Sequence, residues 1–116
     1  MSEEPDPVIL RMRWDYLIRL PERIAEIERH WLEHQEDEAE SEALASVQKL
    51  IHQLVGSGGT IGVDEVSDLS RPMDLVLQEA LDNNLALTPA TRACIDEGLA
   101  GLKTFTLKRL MMLVHA

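Results

Sequence analysis

One histidine stands apart from the apolar pattern of its own segment and is the residue best suited to chemistry. The apolar residues around His52 recur at steps of three and four, which predicts an amphipathic helix with one buried face. On a helix that turns about 100° per residue, His52 falls on the opposite side, in a row with Ala45, Lys49 and Gly56. An imidazole in solvent can act as a nucleophile or exchange a proton near neutral pH. Gly56 costs a helix about 1 kcal/mol relative to alanine, which favours a role in letting a partner approach the ring.

The helix that must hold this histidine is predicted to run from about Ser41 to Gly59. Gly58, Gly59 and Gly62 are expected to end it and to form a tight link to the next helix. The predicted buried face consists of Leu44, Val47, Leu50, Ile51, Leu54 and Gly58.

At these residues the sequence resembles the histidine-containing phosphotransfer (HPt) domains of bacterial multistep phosphorelays. The family signature reads His-x-Leu-Lys-Gly, followed by small residues and then by a hydrophobic-Gly pair. The residues that match it are His52, Leu54, Gly56, Ser57 and the pair Ile61-Gly62. The departure is Val55, where the family usually has lysine. The order of helices on both sides also fits, so the resemblance extends over most of the chain.

The resemblance implies a signalling protein of two-component systems that carries a phosphoryl group on His52. A cytoplasmic location is expected separately, from the single cysteine, Cys94, and the lack of a long apolar run. The group would pass between aspartates of response-regulator receiver domains, and a hybrid histidine kinase is a further candidate partner. Such a domain is a phosphoryl carrier without kinase activity of its own rather than an enzyme. It has no cofactor of its own, because the partner receiver supplies the magnesium ion.

Val55 leaves the phosphoryl group without the cation that the family usually provides. Lys49, one turn before His52 on the same exposed face, is a candidate replacement, and an ordinary solvated lysine is the alternative. The residues expected to support the phosphoryl group or receiver docking are Lys49, Gln48, Val55, Gly56, Ser57 and Gly59.

Two other functions compete with phosphotransfer. The missing lysine favours an HPt-like interaction module that docks on a receiver or kinase and blocks it without carrying phosphate. An adaptor bundle unrelated to signalling would treat the glycine run as a plain helix end. A metal site is a further possibility, with the candidate ligands Glu26, His30, Glu33, His34 and Asp37. Di-metal bundles need Glu three positions before a histidine, and no histidine of this sequence has it. A solvated charged face is therefore favoured.

Length and composition place the chain in the all-α class. With 116 residues it fits one domain, expected over residues 8–116 after a flexible acidic N-terminus at residues 1–7. Hydrophobic residues reach 45% while aromatic residues are only 3%, which is typical of a helical bundle. The net charge of −10 disfavours nucleic acid and anionic membrane surfaces as partners. No apolar run is long enough for a membrane span, and a monomer is expected.

The predicted architecture is an antiparallel up-down four-helix bundle with a short extra N-terminal helix. Pro21 interrupts the first apolar pattern, so a short helix to Leu20 and a second from Pro21 are expected, with a kinked continuous helix as the alternative. The last helix is predicted from Pro89 to about Val114, with Thr88 as its N-cap. The third helix is predicted to bury residues at steps of three and four, namely Val66, Leu69, Met73, Val76 and Ala80.

Overall fold

Four helices pack in a ring around one core. The computed structural model describes residues 6–37, 41–84 and 86–114, apart from the side chains at positions 41, 113 and 114. The helices are α1 (Pro7–Glu36), α2 (Ser41–Ile61), α3 (Asp64–Asp82) and α4 (Pro89–Val114). Contacts join α1 to α2, α2 to α3, α3 to α4 and α4 back to α1. The predicted all-α four-helix bundle is therefore confirmed.

Neighbouring helices run antiparallel, as the contacts between them demonstrate. Residues 13 and 16 of α1 contact residues 61 and 57 of α2. Residue 74 of α3 contacts residue 52 of α2, while residue 67 lies against residues 58 and 59. Residues 28 and 31 of α1 contact residues 103 and 96 of α4. In each pair, one number rises as the other falls, which is the up-down arrangement that short connections favour.

The predicted break at Pro21 is wrong, because α1 is a single helix of 30 residues with Pro21 inside it. Proline removes one backbone hydrogen bond and crowds the preceding turn. However, Leu17, Leu20 and Ile24 are buried on both sides of it, at 3%, 0% and 2% exposure. Burial of three large side chains, each worth about 1.5–3 kcal/mol, offsets a proline cost of roughly 3 kcal/mol. From residue 6 onward, the described part of the chain consequently has no separate short N-terminal helix.

The expected flexible N-terminus at residues 1–7 lies mainly outside the described residues. At its last two positions the Asp6 side chain caps α1 by accepting a hydrogen bond from the Val8 amide at 2.7 Å, and Pro7 is the first helical residue. The predicted acidic connection between α1 and α2 includes residues 38–40, which also lie outside the described ranges.

The buried face of α2 agrees with its predicted pattern except that Leu50 is only partly buried. The buried face of α3 differs from the prediction, because Leu69 and Val76 are only partly buried and pack at the edge of the core. Three polar residues take their place on the buried side of α3. The buried residues of α3 are Val66, Ser67, Ser70, Met73, Asp74, Leu77 and Ala80. This face is therefore not purely apolar, and its polar part borders α2.

The link from α2 to α3 is tight, as predicted, but the glycine run belongs to the helix rather than to its end. Helix α2 continues through Gly58 and Gly59 to Ile61. Gly62 then adopts φ +84°, and the Val63 amide donates to the Gly58 carbonyl at 2.8 Å while the Gly62 amide donates to that of Gly59 at 3.2 Å. This pair of bonds is the Schellman motif that glycine permits.

The start of α4 is confirmed at Pro89. The Thr88 hydroxyl accepts a hydrogen bond from the Thr91 amide at 3.1 Å, which is the predicted N-cap. In the described ranges, no helix is both long and apolar enough to cross a lipid bilayer.

Candidate functional site

His52 lies on the outer surface of the α2–α3 pair, with 62% of its side chain exposed. Its Nδ1 atom lies 2.9 Å from Oδ2 of Asp74 on α3. Because an ionised carboxylate only accepts hydrogen bonds, Nδ1 must carry the hydrogen in this contact. In the neutral imidazole the other ring nitrogen, Nε2, then keeps its lone pair, which is the tautomer of a nucleophile.

Asp74 is the anchor of this arrangement and is only 6% exposed. Gln48, one turn before the histidine on α2, donates from Nε2 to Oδ1 of Asp74 at 2.9 Å. Gln78 on α3 lies farther from the same carboxylate, with its Nε2 at 3.4 and 3.5 Å from the two oxygens. A buried carboxylate needs such partners to offset the loss of hydration. One carboxylate oxygen, Oδ1, therefore accepts from Gln48, while the other, Oδ2, faces His52.

The three glycines near the end of α2 have different surroundings. A Cβ atom on Gly58 would lie 3.0 Å from the Ser67 amide nitrogen and 3.1 Å from the Val63 carbonyl oxygen. Glycine is required there by the close approach of α3. A Cβ on Gly56 would meet nothing within 4 Å, and one on Gly59 would meet only Ser67 Oγ at 3.8 Å. Internal packing therefore does not explain Gly56, one turn from His52, and the surface there is open.

Some of the predicted support residues lie beside His52, whereas others are bonded to different side chains. Lys49 is exposed one turn before His52, and Val55 is half-buried one turn after it. Gln48 was expected near a phosphoryl group, but its amide is engaged with Asp74 instead. Ser57 faces α1, where its Oγ lies 2.9 Å from the Tyr16 hydroxyl. The prediction for Ser57 therefore loses its geometric basis.

Burial raises the pKa of Tyr16 above its ordinary value of 10.0, while the Ser57 hydrogen bond and the charge of Arg23 partly oppose that increase. The Arg23 guanidinium lies 5.5 Å from the centre of the Tyr16 ring. The Tyr16–Ser57 bond joins α1 to the end of α2, while the Arg23 contact lies within α1. The role of that bond is to hold the two helices together beside the site.

The histidines of α1 do not form a second chemical centre with their acidic neighbours. His30 lies 3.4 Å from Glu33, whereas His34 is 4% exposed and stacks on Trp31 at 5.9 Å between ring centres. The expected solvated face is therefore wrong for His34, because the ring packs on the Trp31 indole. Among the described residues, no group of three or more His, Cys, Asp or Glu side chains is arranged to hold a metal ion.

Asp74 is the functional residue that sequence reasoning missed. The available signal was its spacing, because Asp74 directly follows Met73 and lies three residues before Leu77 and four after Ser70, which places it on the buried side of the helix. A charge bordering a buried face requires a partner. A second omission is Leu75, which follows Asp74 and is 61% exposed, so an apolar side chain stands beside the site.

A family model described as Hpt domain matches residues 11–105, a stretch that contains all of α2 and α3. The chain belongs to the Hpt domain family. No curated protein and no solved structure gives a match. Hpt domains are phosphocarrier modules of phosphorelays that interact with receiver domains and histidine kinases, and this chain is therefore assigned to phosphorelay signalling.

Proposed function

We propose that this Hpt domain carries a phosphoryl group on Nε2 of His52 and passes it between aspartates of receiver domains. The observation that carries the proposal is the contact between His52 Nδ1 and the buried Asp74 carboxylate, which holds one ring nitrogen while 62% of the side chain remains exposed. A carrier needs this combination, because the same ring must be oriented from inside and reached from outside.

Phosphoryl transfer to His52 exchanges one bond to phosphorus for another. The Nε2 lone pair attacks the phosphorus of a receiver phosphoaspartate, an N–P bond forms, and the P–O bond to the aspartate breaks with release of its carboxylate. Since Nδ1 keeps its hydrogen, the phosphorylated ring becomes cationic, and the Asp74 carboxylate at 2.9 Å offsets that charge. Return of the group to another aspartate reverses the same bonds.

The partner supplies what this chain lacks. Magnesium bound in the receiver would neutralise charge on the transferring oxygens, so the Hpt domain needs no cofactor and no kinase activity of its own. Receiver docking is proposed on the open surface around Val55, Gly56 and Gly59, with the exposed Leu75 at its edge. Lys49 is proposed to contribute positive charge from the α2 side.

The test mixes the protein with a phosphorylated receiver, or with a kinase-receiver protein and ATP. Wild type should acquire an acid-labile, base-stable label, and His52→Gln should not. A label that persists in His52→Gln contradicts the assignment.

The second candidate is a module that docks on a receiver or kinase and inhibits it without carrying phosphate. The valine at residue 55, which can neither donate a hydrogen bond nor carry charge, favours this function. Docking of wild type without any label, together with inhibition that His52→Gln retains, would establish it in place of phosphotransfer.

A further inference from the structure

The pairing of α2 with α3 identifies which side chain lies opposite Val55. Residue 52 contacts residue 74 through the 2.9 Å bond between His52 and Asp74. Residue 59 lies beside residue 67, since a Cβ on Gly59 would be 3.8 Å from Ser67 Oγ. Both helices rise 1.5 Å per residue, so between these two contacts residue 55 lies level with residue 71. Arg71 therefore stands across the groove from Val55, one turn from the His52–Asp74 pair.

Arg71 is held only weakly where it is. Its side chain is 58% exposed and lies 3.9 Å from the carboxylate of Asp68, which is itself 70% exposed. Such surface ion pairs contribute between about 0 and 1 kcal/mol. The remaining bond runs from Nη2 to the neutral Ser67 hydroxyl at 3.2 Å. A guanidinium can donate two parallel hydrogen bonds to an ionised phosphoryl group, so a nearby phosphoryl group would attract this side chain more strongly than one hydroxyl does.

A phosphoryl group on His52 would add negative charge to a site that already contains a carboxylate. A phosphoryl group carries a charge of about −1.5 to −2 near neutral pH, which exceeds the single positive charge of the phosphorylated ring. On His52 this charge would arrive close to Asp74, a carboxylate that is only 6% exposed. Apart from histidine, the cationic side chains of α2 and α3 are Lys49 and Arg71. Arg71 alone comes from α3, and its planar fork can hold two phosphoryl oxygens at once.

We propose that Arg71 binds the phosphoryl group carried on His52 and so supplies from α3 the cation that Val55 does not supply from α2. This inference rests on the proposed function of His52. The arginine leaves Ser67 and swings one turn along the groove toward the ring. The Val55 side chain is short and half-buried, and the surface over Gly56 is open, so neither residue blocks that path.

The test measures the ionisation of the phosphoryl group directly. Wild type and variants are phosphorylated with phosphoramidate, a small donor that needs no receiver, and the phosphohistidine signal is titrated by ³¹P NMR. A neighbouring guanidinium favours the dianion, so Arg71→Ala should raise the phosphoryl pKa by about 0.5. Arg71→Lys should restore most of the wild-type value. Lys108→Ala removes the same charge from an exposed position on α4 and should leave that pKa unchanged.

The outcomes separate this inference from the function on which it rests. A phosphohistidine signal with the same pKa in wild type and Arg71→Ala overturns the role of Arg71 and leaves His52 as the carrier. No signal in wild type, or one that persists in His52→Gln, overturns both. An equal rise of the pKa in Lys108→Ala would show a general effect of net charge and would also refute the role of Arg71. Arg71→Gln, which retains the length of the side chain, replaces Arg71→Ala if circular dichroism shows that the alanine variant is unfolded.

Discussion

Replacing Asp74 with asparagine should slow phosphotransfer because it reverses the hydrogen bond to His52. Gln48 donates to Oδ1 of Asp74 at 2.9 Å, so with Gln48 in this orientation an asparagine at this position keeps its carbonyl oxygen toward Gln48. Its NH₂ group would then occupy the position of Oδ2, 2.9 Å from Nδ1 of His52. A donor there forces Nδ1 to accept, which moves the ring hydrogen to Nε2. The nitrogen proposed to attack phosphorus thereby loses its lone pair.

The size of the effect follows from the exposure of the two partners. Hydrogen bonds to charged groups contribute about 1.5–3 kcal/mol when both partners are well shielded. Asp74 is shielded, but 62% of the His52 side chain is exposed, so we expect a value around or below the lower end of that range, about 1–2 kcal/mol. At 1.36 kcal/mol per tenfold change in rate, this corresponds to roughly a 5- to 30-fold loss.

The assay is the single-turnover rate of transfer from a phosphorylated receiver, combined with ¹⁵N NMR of the imidazole to identify the tautomer. Asp82→Asn is the matched control, because it removes an exposed carboxylate from the same helix. Adding Gln48→Leu to Asp74→Asn removes the donor that orients the amide, so the double variant should recover part of the lost rate. Wild-type transfer by folded Asp74→Asn would refute the positioning role of this carboxylate.

The remaining predictions concern the surroundings of the site. Gly56→Leu should block transfer to and from receivers while circular dichroism and thermal unfolding show an intact bundle, because its side chain enters open space; normal transfer would contradict the docking surface. Gly58→Ala should lower the free energy of unfolding by about 1–3 kcal/mol, measured in urea, because its Cβ meets the α3 backbone. Lys49→Ala should reduce the transfer rate by about two- to fivefold, and an unchanged rate would exclude Lys49 from the site. Because the Tyr16 pKa is raised on folding, its stabilising effect is complete below pH 10.0 and is lost as pH rises through the higher folded value. The urea midpoint of the wild type should therefore fall between about pH 9 and 11, and Tyr16→Phe should remove the part of this fall that is due to Tyr16.

Local patterns predicted those elements whose ends and faces depend on neighbouring residues alone. The buried face of α2 follows from apolar steps of three and four, and the same pattern left His52 outside. The start of α4 follows from Thr88 and Pro89, which suit the cap and the first helical position. At Pro21 a local rule failed, because burial of side chains before and after the proline outweighs the hydrogen bond that it removes. That burial depends on α2 and α4, which a pattern within one helix does not include.

Asp74 shows why the centre of the site could be predicted only in part. Within α3 the aspartate is one charge at the edge of a buried face, and the sequence of that helix alone does not identify its partner. The partner is set by the register of α2 on α3, which depends on Gly58 allowing the α3 backbone to approach. Once that contact is made, the bond from His52 to Asp74 follows, and Arg71 comes to lie across from Val55. A glycine with no chemistry of its own therefore helps to set which carboxylate contacts the histidine and which cation lies near the proposed phosphoryl site.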